Sequence, residues 1–467
     1  MATSKQPPTS SILDLPPSLR VITLNCWGLK FISTHRNARL AQIGEELANA
    51  SPAPDIVGLQ ECWTQQDYLS IHHQTKHILP HAKFYWSGIF GSGLAILSKW
   101  PLQETSMFRY PLNGRPSAFW RGDWYVGKGV ACARIQVGSG QGQVVEVFNT
   151  HTHAPYERKD DSYECHRTAQ AWEIARLMRH AAERGHVVLG LGDFNMVPRS
   201  LAHQVIEAHA PVRDVWRILH PDSAVGGAWQ EEEKARLRER GEEVPSARAC
   251  VEVHGATCDS SFNTWRWSEQ RKKDLLKRGR DWDPDPEARD PRARRLDYIF
   301  FDGGSGERWE LEGVEVGMLM RHKTLRCSLS DHFSVEATFV RGNGEADRGG
   351  RKMVRLLPLA TYDRILAMIA KYEARQRKFR RTKLTEFGLS IAVSLGCFVA
   401  VWWSPRNYVT FILILLSTLG FGGGILEGLM GGLFVGSELR ALKEFEYEVR
   451  NARRQAEERE VQVDGKT

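Results

Sequence analysis

The chain has 467 residues, with 63 Lys and Arg against 56 Asp and Glu, for a formal charge of +7. That mild basicity establishes neither nucleic-acid nor membrane binding, and the length suits one large enzyme domain plus an appendage. The eight cysteines (26, 62, 132, 165, 250, 258, 327 and 397) are dispersed without a CxxC pair, which excludes a thiolate metal cage by pattern and fits reduced thiols in cytosol better than a disulfide framework.

Residues 1–18 read as a Pro- and Ser-rich flexible tail without the apolar core of a secretory signal. From there β-type runs alternate with amphipathic helices. VITLN precedes a predicted helix at about 36–49, and DIVGLQ precedes one at about 65–76. GLAILSKWPL and VVEVFNTH follow as further β-runs. Residues 164–184 read as a helix with Ala171, Ile174, Ala175, Leu177 and Met178 near one face, and VVLGLGDFN follows as a buried strand. The charged, loop-rich stretch at about 220–295 reads as an insertion on the active-site side, after which LDYIFF resumes the sheet. This order predicts an α/β fold, a sandwich over 19–341 in place of a bundle.

The last third differs in kind. A basic linker and juxtamembrane helix at 342–386 carries Lys371, Arg375, Arg377, Lys378, Arg380, Arg381 and Lys383. Two apolar runs, 387–403 and 408–426, span 17 and 19 residues, near the lower limit for crossing a bilayer. Ser404-Pro405-Arg406-Asn407 turns between them, so 387–436 is predicted as a transmembrane helical hairpin with both outer ends on one side. The basic cluster, with Arg440 and Lys443 in the 437–467 tail, marks that side as cytosolic. Gly424, Gly428 and Gly432 recur every four residues and predict close helix contact, which leaves a homodimer through the hairpin open.

Candidate chemistry lies in short segments at the β-run ends. Glu61, after IVGLQ, places a carboxylate where it could reach a metal, and Asn25 ends VITLN, where its amide oxygen could join the metal shell or touch a phosphate. In GDFN, Asp193 and Asn195 project to one side and could hold an attacking water and a phosphoryl oxygen. His332 in SDH, with Asp331 beside it and Asp297 in LDYIFF as carboxylates, is a candidate general base, since a carboxylate fixes the tautomer and stabilises the imidazolium. His151 in NTHTH could donate to the phosphate or to its leaving oxygen; pairing it with His153 for zinc lacks a third soft ligand. GDWYVGK at 122–128 matches a nucleotide-binding loop but is followed by Gly129 instead of Ser or Thr. DWDPDPEAR at 281–289 starts like a calcium loop but has Pro286 where glycine must turn.

Together these segments resemble the endonuclease/exonuclease/phosphatase superfamily over roughly residues 20–340, which implies its four-layer α/β sandwich. Within it LNCWGLK, QECW, NGRPSAFWRGDWYVGKG, FNTHTHAPY, GLGDFN and LSDHF are similar to the neutral sphingomyelinases and the fungal inositol phosphosphingolipid phospholipases C. The resemblance implies an enzyme with Mg2+ as cofactor, held by Glu61 with Asn25 beside it and Asp331 near. It implies Asp193 and Asn195 positioning water and phosphate, His332 as base, Asp297 as its carboxylate partner, and His151 at the phosphate or leaving group. It also turns the false nucleotide loop into a switch formed by Asp123 and Lys128.

The implied function is a membrane-anchored phospholipase C that releases ceramide and a phosphorylated headgroup from inositol phosphosphingolipids, with sphingomyelin a second candidate. The basic stretch predicts activation by anionic phospholipids, phosphatidylserine or cardiolipin. No nucleic-acid partner is expected. The catalytic domain is expected in cytosol, with the hairpin in endoplasmic reticulum or mitochondrial outer membrane by resemblance alone. A magnesium nuclease and an inositol lipid phosphatase of the same superfamily are the alternatives.

Overall fold

The computed structural model describes residues 15–138, 143–156, 161–228, 231–278, 283–305, 309–342 and 355–464. Contacts divide the chain into two compact units: Met1–Tyr110, Val126–Arg158 and Gln170–Arg355 form one, and Pro111–Tyr125, Lys159–Ala169 and Leu356–Thr467 the other.

In the first unit two mixed sheets face one another. One comprises β1 (Ser18–Asn25), β2 (Ile56–Gln60), β3 (His81–Tyr85), β4 (Leu94–Ser98), β11 (Trp309–Gly317) and β12 (Ser334–Arg341), in the order β11-β12-β1-β2-β4-β3. The other comprises β5 (Leu102–Arg109), β6 (Gly129–Gln136), β7 (Val144–His151), β8 (Val187–Asp193), β9 (Arg213–Asp214) and β10 (Asp297–Asp302), in the order β5-β6-β7-β8-β10-β9. Strand alternation explains the layering. Leu19 and Val21 of β1 join Val147, Leu189, Leu191 and Ile299 in the core between the sheets. Ile22 and Leu24 point the other way, onto Leu40, Ile43 and Leu47 of α1 (Arg36–Ala48) and Ile71 of α2 (Gln65–Thr75).

The far face of the second sheet is covered by helix. A Cβ on Gly190 of β8 would press on Met178 of α4 (Glu164–Glu183), so glycine there permits close approach. Helix plus sheet, twice over, gives the four-layer α/β sandwich expected from the sequence. The 220–295 stretch is built around α7 (Glu231–Arg240), α8 (Ala247–Glu252) and α9 (Glu269–Arg278), after α5 (Leu201–His209) and α6 (Val215–Leu219).

The second unit contains α3 (Asp123–Val126, to Tyr125) and three long helices: α10 (Leu359–Val401), α11 (Asn407–Leu429) and α12 (Val435–Asp464), the last two joined by a π-helical turn at Met430–Phe434. The first apolar run therefore has no helix start of its own, since it finishes a helix of 43 residues. Two helices are long and apolar enough to cross a membrane, by length and composition. The glycine expectation needs one correction. A Cβ on Gly424 would meet Ser390 and one on Gly428 would meet Phe387, but Gly432 has open space, and Gly431 faces Lys383 instead. The buried seam continues through Val435, Glu438, Leu442, Phe445 and Val449. Its steps alternate four and three, so a strict repeat of four rotates off the interface.

Polar groups tie this unit together below the apolar runs. Tyr372 Oη donates to Glu438 at 2.5 Å and accepts from Arg115 Nε at 3.1 Å.

Candidate active site

Asn25 ends β1, Glu61 follows β2, His151 ends β7 and Asp193 ends β8. Asp297 and His332 break the expected pattern of groups at strand ends, because Asp297 opens β10 and His332 precedes β12. Both strands run antiparallel to their central neighbours, so their beginnings lie at the rim where β1 and β8 finish. Register completes the convergence: Asp193 is paired with His151 on one side and with Asp297 on the other.

The local backbone is held in unusual shapes. Gly192 has φ 140°, and a Cβ there would overlap the Thr150 carbonyl. Glu61 and Asn195 adopt left-handed φ of 52° and 45°, conformations that cost non-glycine residues about 1–3 kcal/mol and cluster at functional sites. Asn195 N–H donates to Asp193 Oδ1 at 2.9 Å, an Asx-type turn that fixes the GDFN loop. The other Asp193 oxygen is central. Oδ2 accepts from Asn25 Nδ2 at 3.1 Å and Asn195 Nδ2 at 3.3 Å, with His151 Nε2 at 3.5 Å and His332 Nε2 at 3.9 Å. Asn25 Nδ2 also reaches Glu61 Oε1 at 3.3 Å, while its Oδ1 accepts from Trp27 N–H.

His332 Nδ1 lies 2.8 Å from Asp297 Oδ2, and both residues are buried. Burial alone would lower the His332 pKa, but Asp297, Cys258 and Asp193 together outweigh it and hold the imidazole well above its ordinary value. His151 goes the other way: burial, reinforced by the Lys128 ammonium, pushes it well below normal. Lys128 Nζ itself donates to the Thr152 carbonyl at 2.9 Å. Asp123 belongs to the second unit.

The carboxylates crowd. Desolvation, with repulsion from Asp331, pushes Glu61 up to about 7. Burial and the Asp297 charge raise Asp193 to about 6 against the pull of His332. Burial also raises Asp331. Such mutual repulsion is what a divalent cation relieves, and carboxylate and amide oxygens suit a hard ion. Asp193, Asp297 and His332 offer ligand atoms within 4.8 Å of one another. His332 Nδ1 and Asp297 Oδ2 already hold each other, however, so Glu61 and Asp331 at the half-buried mouth fit a cation better.

Two supporting residues escaped the sequence reading. Thr257 Oγ1 donates to Asp297 Oδ2 at 2.6 Å, bracing the carboxylate that orients His332. The GATCDSSFNTW segment around it lies within the charged insertion, and its compactness and likeness to a family segment are the signals that point to it. Arg39 of α1 is fully buried and donates to the carbonyls of Cys26 at 3.2 Å, Trp27 at 2.8 Å and Leu329 at 2.7 Å. It thereby ties the loop after Asn25 to the one before His332. A lone arginine on an amphipathic helix gave no hint of that.

Residues 22–332 match the Endonuclease/Exonuclease/phosphatase family. The chain is 37% identical to the inositol phosphosphingolipids phospholipase C of Schizosaccharomyces pombe, over 94% of this chain and 95% of that one. It is 32% identical to the enzyme of the same name from Saccharomyces cerevisiae, over 93% and 90% of the two chains. Sphingomyelin phosphodiesterase 2 of Rattus norvegicus is 38% identical over 42% of this chain and 46% of its own.

Proposed function

Because the chain belongs to the endonuclease/exonuclease/phosphatase family, we propose that it is a magnesium-dependent phospholipase C that hydrolyses inositol phosphosphingolipids, and sphingomyelin as a second substrate, to ceramide and a phosphorylated headgroup. The observation that carries the reading is the His332–Asp297 pair, buried beside a cluster of crowded carboxylates at one rim. Relatives of matching length, named inositol phosphosphingolipids phospholipase C, support the substrate class.

The chemistry follows from the groups present. Asp297 accepts from His332 Nδ1–H, which leaves Nε2 to take a proton from water. Asp193 and Asn195 hold that water and a phosphoryl oxygen in line. The water oxygen attacks phosphorus, the bond to the ceramide oxygen breaks, and that oxygen takes up a proton to leave as the ceramide hydroxyl. His151, kept neutral by burial and Lys128, faces the phosphate or the departing oxygen. Magnesium, held by Glu61 with Asn25 and Asp331, would neutralise charge on the phosphoryl oxygens. Lys128 and Asp123 are assigned to a switch that sets the site's competence.

The apolar hairpin would anchor the enzyme with its catalytic unit in cytosol, at endoplasmic reticulum or mitochondrial outer membrane, and keep an insoluble substrate at high effective concentration. Arg375, Arg377, Lys378, Arg380 and Arg381 are exposed just before it, and each well-placed cation near anionic lipid contributes about 1 kcal/mol. Phosphatidylserine or cardiolipin should therefore raise turnover. Gly424 and Gly428 meet α10 of the same chain, which leaves the outward face with Gly432 for contact with a second copy.

The test offers purified full-length protein inositol phosphorylceramide and sphingomyelin in vesicles with magnesium, with and without phosphatidylserine. Ceramide release that falls about 10²- to 10⁴-fold in His332→Ala supports the reading. Acid-soluble nucleotides from DNA, or inorganic phosphate from inositol lipids, released without any ceramide would transfer the site to a nuclease or a phosphatase.

A further inference from the structure

The rim that carries Asn25 and Glu61 also carries the loops after β1, between β3 and β4, and between β11 and β12. Those loops expose large apolar side chains to water: Phe31 at 93%, Ile32 at 69%, Trp86 at 65% and Ile89 at 71%. Leu319 and Met320 in the third loop are exposed as well. In sheet order the loops fall on β11-β12, β1 and β4-β3, so the apolar groups extend along the whole catalytic edge. The opposite edge of the same sheet is different. In its connections at 49–55, 76–80 and 99–101, Ile78 is half-buried and Leu79 and Trp100 are buried. An asymmetry of this kind marks a docking face instead of ordinary surface scatter.

Charge indicates what the face meets. Between Cys26 and Gly44 the chain carries Lys30, His35, Arg36 and Arg39 and no acid. Residues 318–328 carry Arg321, His322, Lys323 and Arg326, again without an acid, and 86–93 has no charge at all. Arg36, Arg321 and Lys323 are engaged with Asp67, Asp283 and Glu45, and Arg39 is buried, but Lys30 and Arg326 are exposed at the rim. Aromatic and aliphatic tips mixed with cations suit the headgroup layer of a bilayer containing anionic lipid. A protein partner would have to match three separate loops.

We infer that the catalytic rim itself inserts into the lipid surface, with Phe31, Ile32, Trp86 and Ile89 seated at headgroup depth and the site opening directly onto the bilayer. This rests on the proposed lipid substrate for its purpose, but its test does not require turnover. Full-length protein is reconstituted in vesicles of phosphatidylcholine and phosphatidylserine, with plain or brominated acyl chains. The emission of Trp86 is taken as the difference between wild type and Trp86→Phe, which removes the share of the other fourteen tryptophans. Brominated chains should dim that share about twofold, as for an indole at the interface. Replacing Phe31→Ser and Ile32→Ser together should restore most of the lost emission. Equal brightness in both vesicles overturns the inference and leaves the face to a protein partner. Quenching without any ceramide release would instead retain the docking face and reject the proposed substrate.

Discussion

Asp297 Oδ2, at the start of a strand, holds two groups at once: His332 Nδ1 from a loop at 2.8 Å and Thr257 Oγ1 from the insertion at 2.6 Å. The carboxylate charge raises the His332 pKa, so removing it should lower that value. In Asp297→Asn we expect kcat to fall about 10²- to 10⁴-fold, and the acidic limb of the rate profile to move to lower pH because the imidazole loses its proton earlier. Thr257→Val should lose less activity and should not move the limb to lower pH, because the Asp297 charge stays in place and loses only a donor. A pH–rate profile of ceramide release for each variant is the check.

Crowded carboxylates make a divalent cation a stabiliser of the fold. Magnesium at about 100 times its Kd should add roughly 2.7 kcal/mol, visible as a higher Tm in thermal scans. In Glu61→Gln that shift should shrink strongly, while the metal-free protein should melt no lower than wild type, since one of the repelling charges is gone. An undiminished magnesium shift in Glu61→Gln would remove this residue from the metal shell.

Away from the site, Arg295 and Asp214 form a fully buried pair at 2.6 Å, with His203 against the same carboxylate. Burial alone would raise the Asp214 pKa, but Arg295 and His203 together outweigh it and hold the group at about 2. The folded value is thus depressed below the unfolded one. Its stabilising contribution is complete above about pH 4, the ordinary carboxylate range, and fades as pH falls toward about 2. Asp214→Asn strands the guanidinium and should cost about 3–5 kcal/mol at neutral pH, read from denaturant unfolding.

Seam geometry separates three glycines that look alike in sequence. Gly424→Leu and Gly428→Leu should force α11 away from Ser390 and Phe387, whereas Gly432→Leu meets open space. Cysteine crosslinking across α10 and α11 should weaken in the first two variants and persist in the third.

Local periodicity and composition were enough to expect the sandwich, the helices near 36–49, 65–76 and 164–184, and the apolar hairpin, and the helices fall at 36–48, 65–75 and 164–183. The sequence also singled out Asn25, Glu61, His151, Asp193, Asn195, Asp297 and His332, as polar groups set against β-runs in family-like segments. Which of them meet depends on how the strands pack. Strand direction brings the first residue of β10 to the last residue of β8, and register seats Asp193 between His151 and Asp297. Thr257 and Arg39 act through contacts with residues 40 and 290 positions away, a relation no short window of sequence can hold. The choice of Gly431 over Gly432 depends on a 3.5-residue seam against a partner helix, so it too exists only once the helices pack.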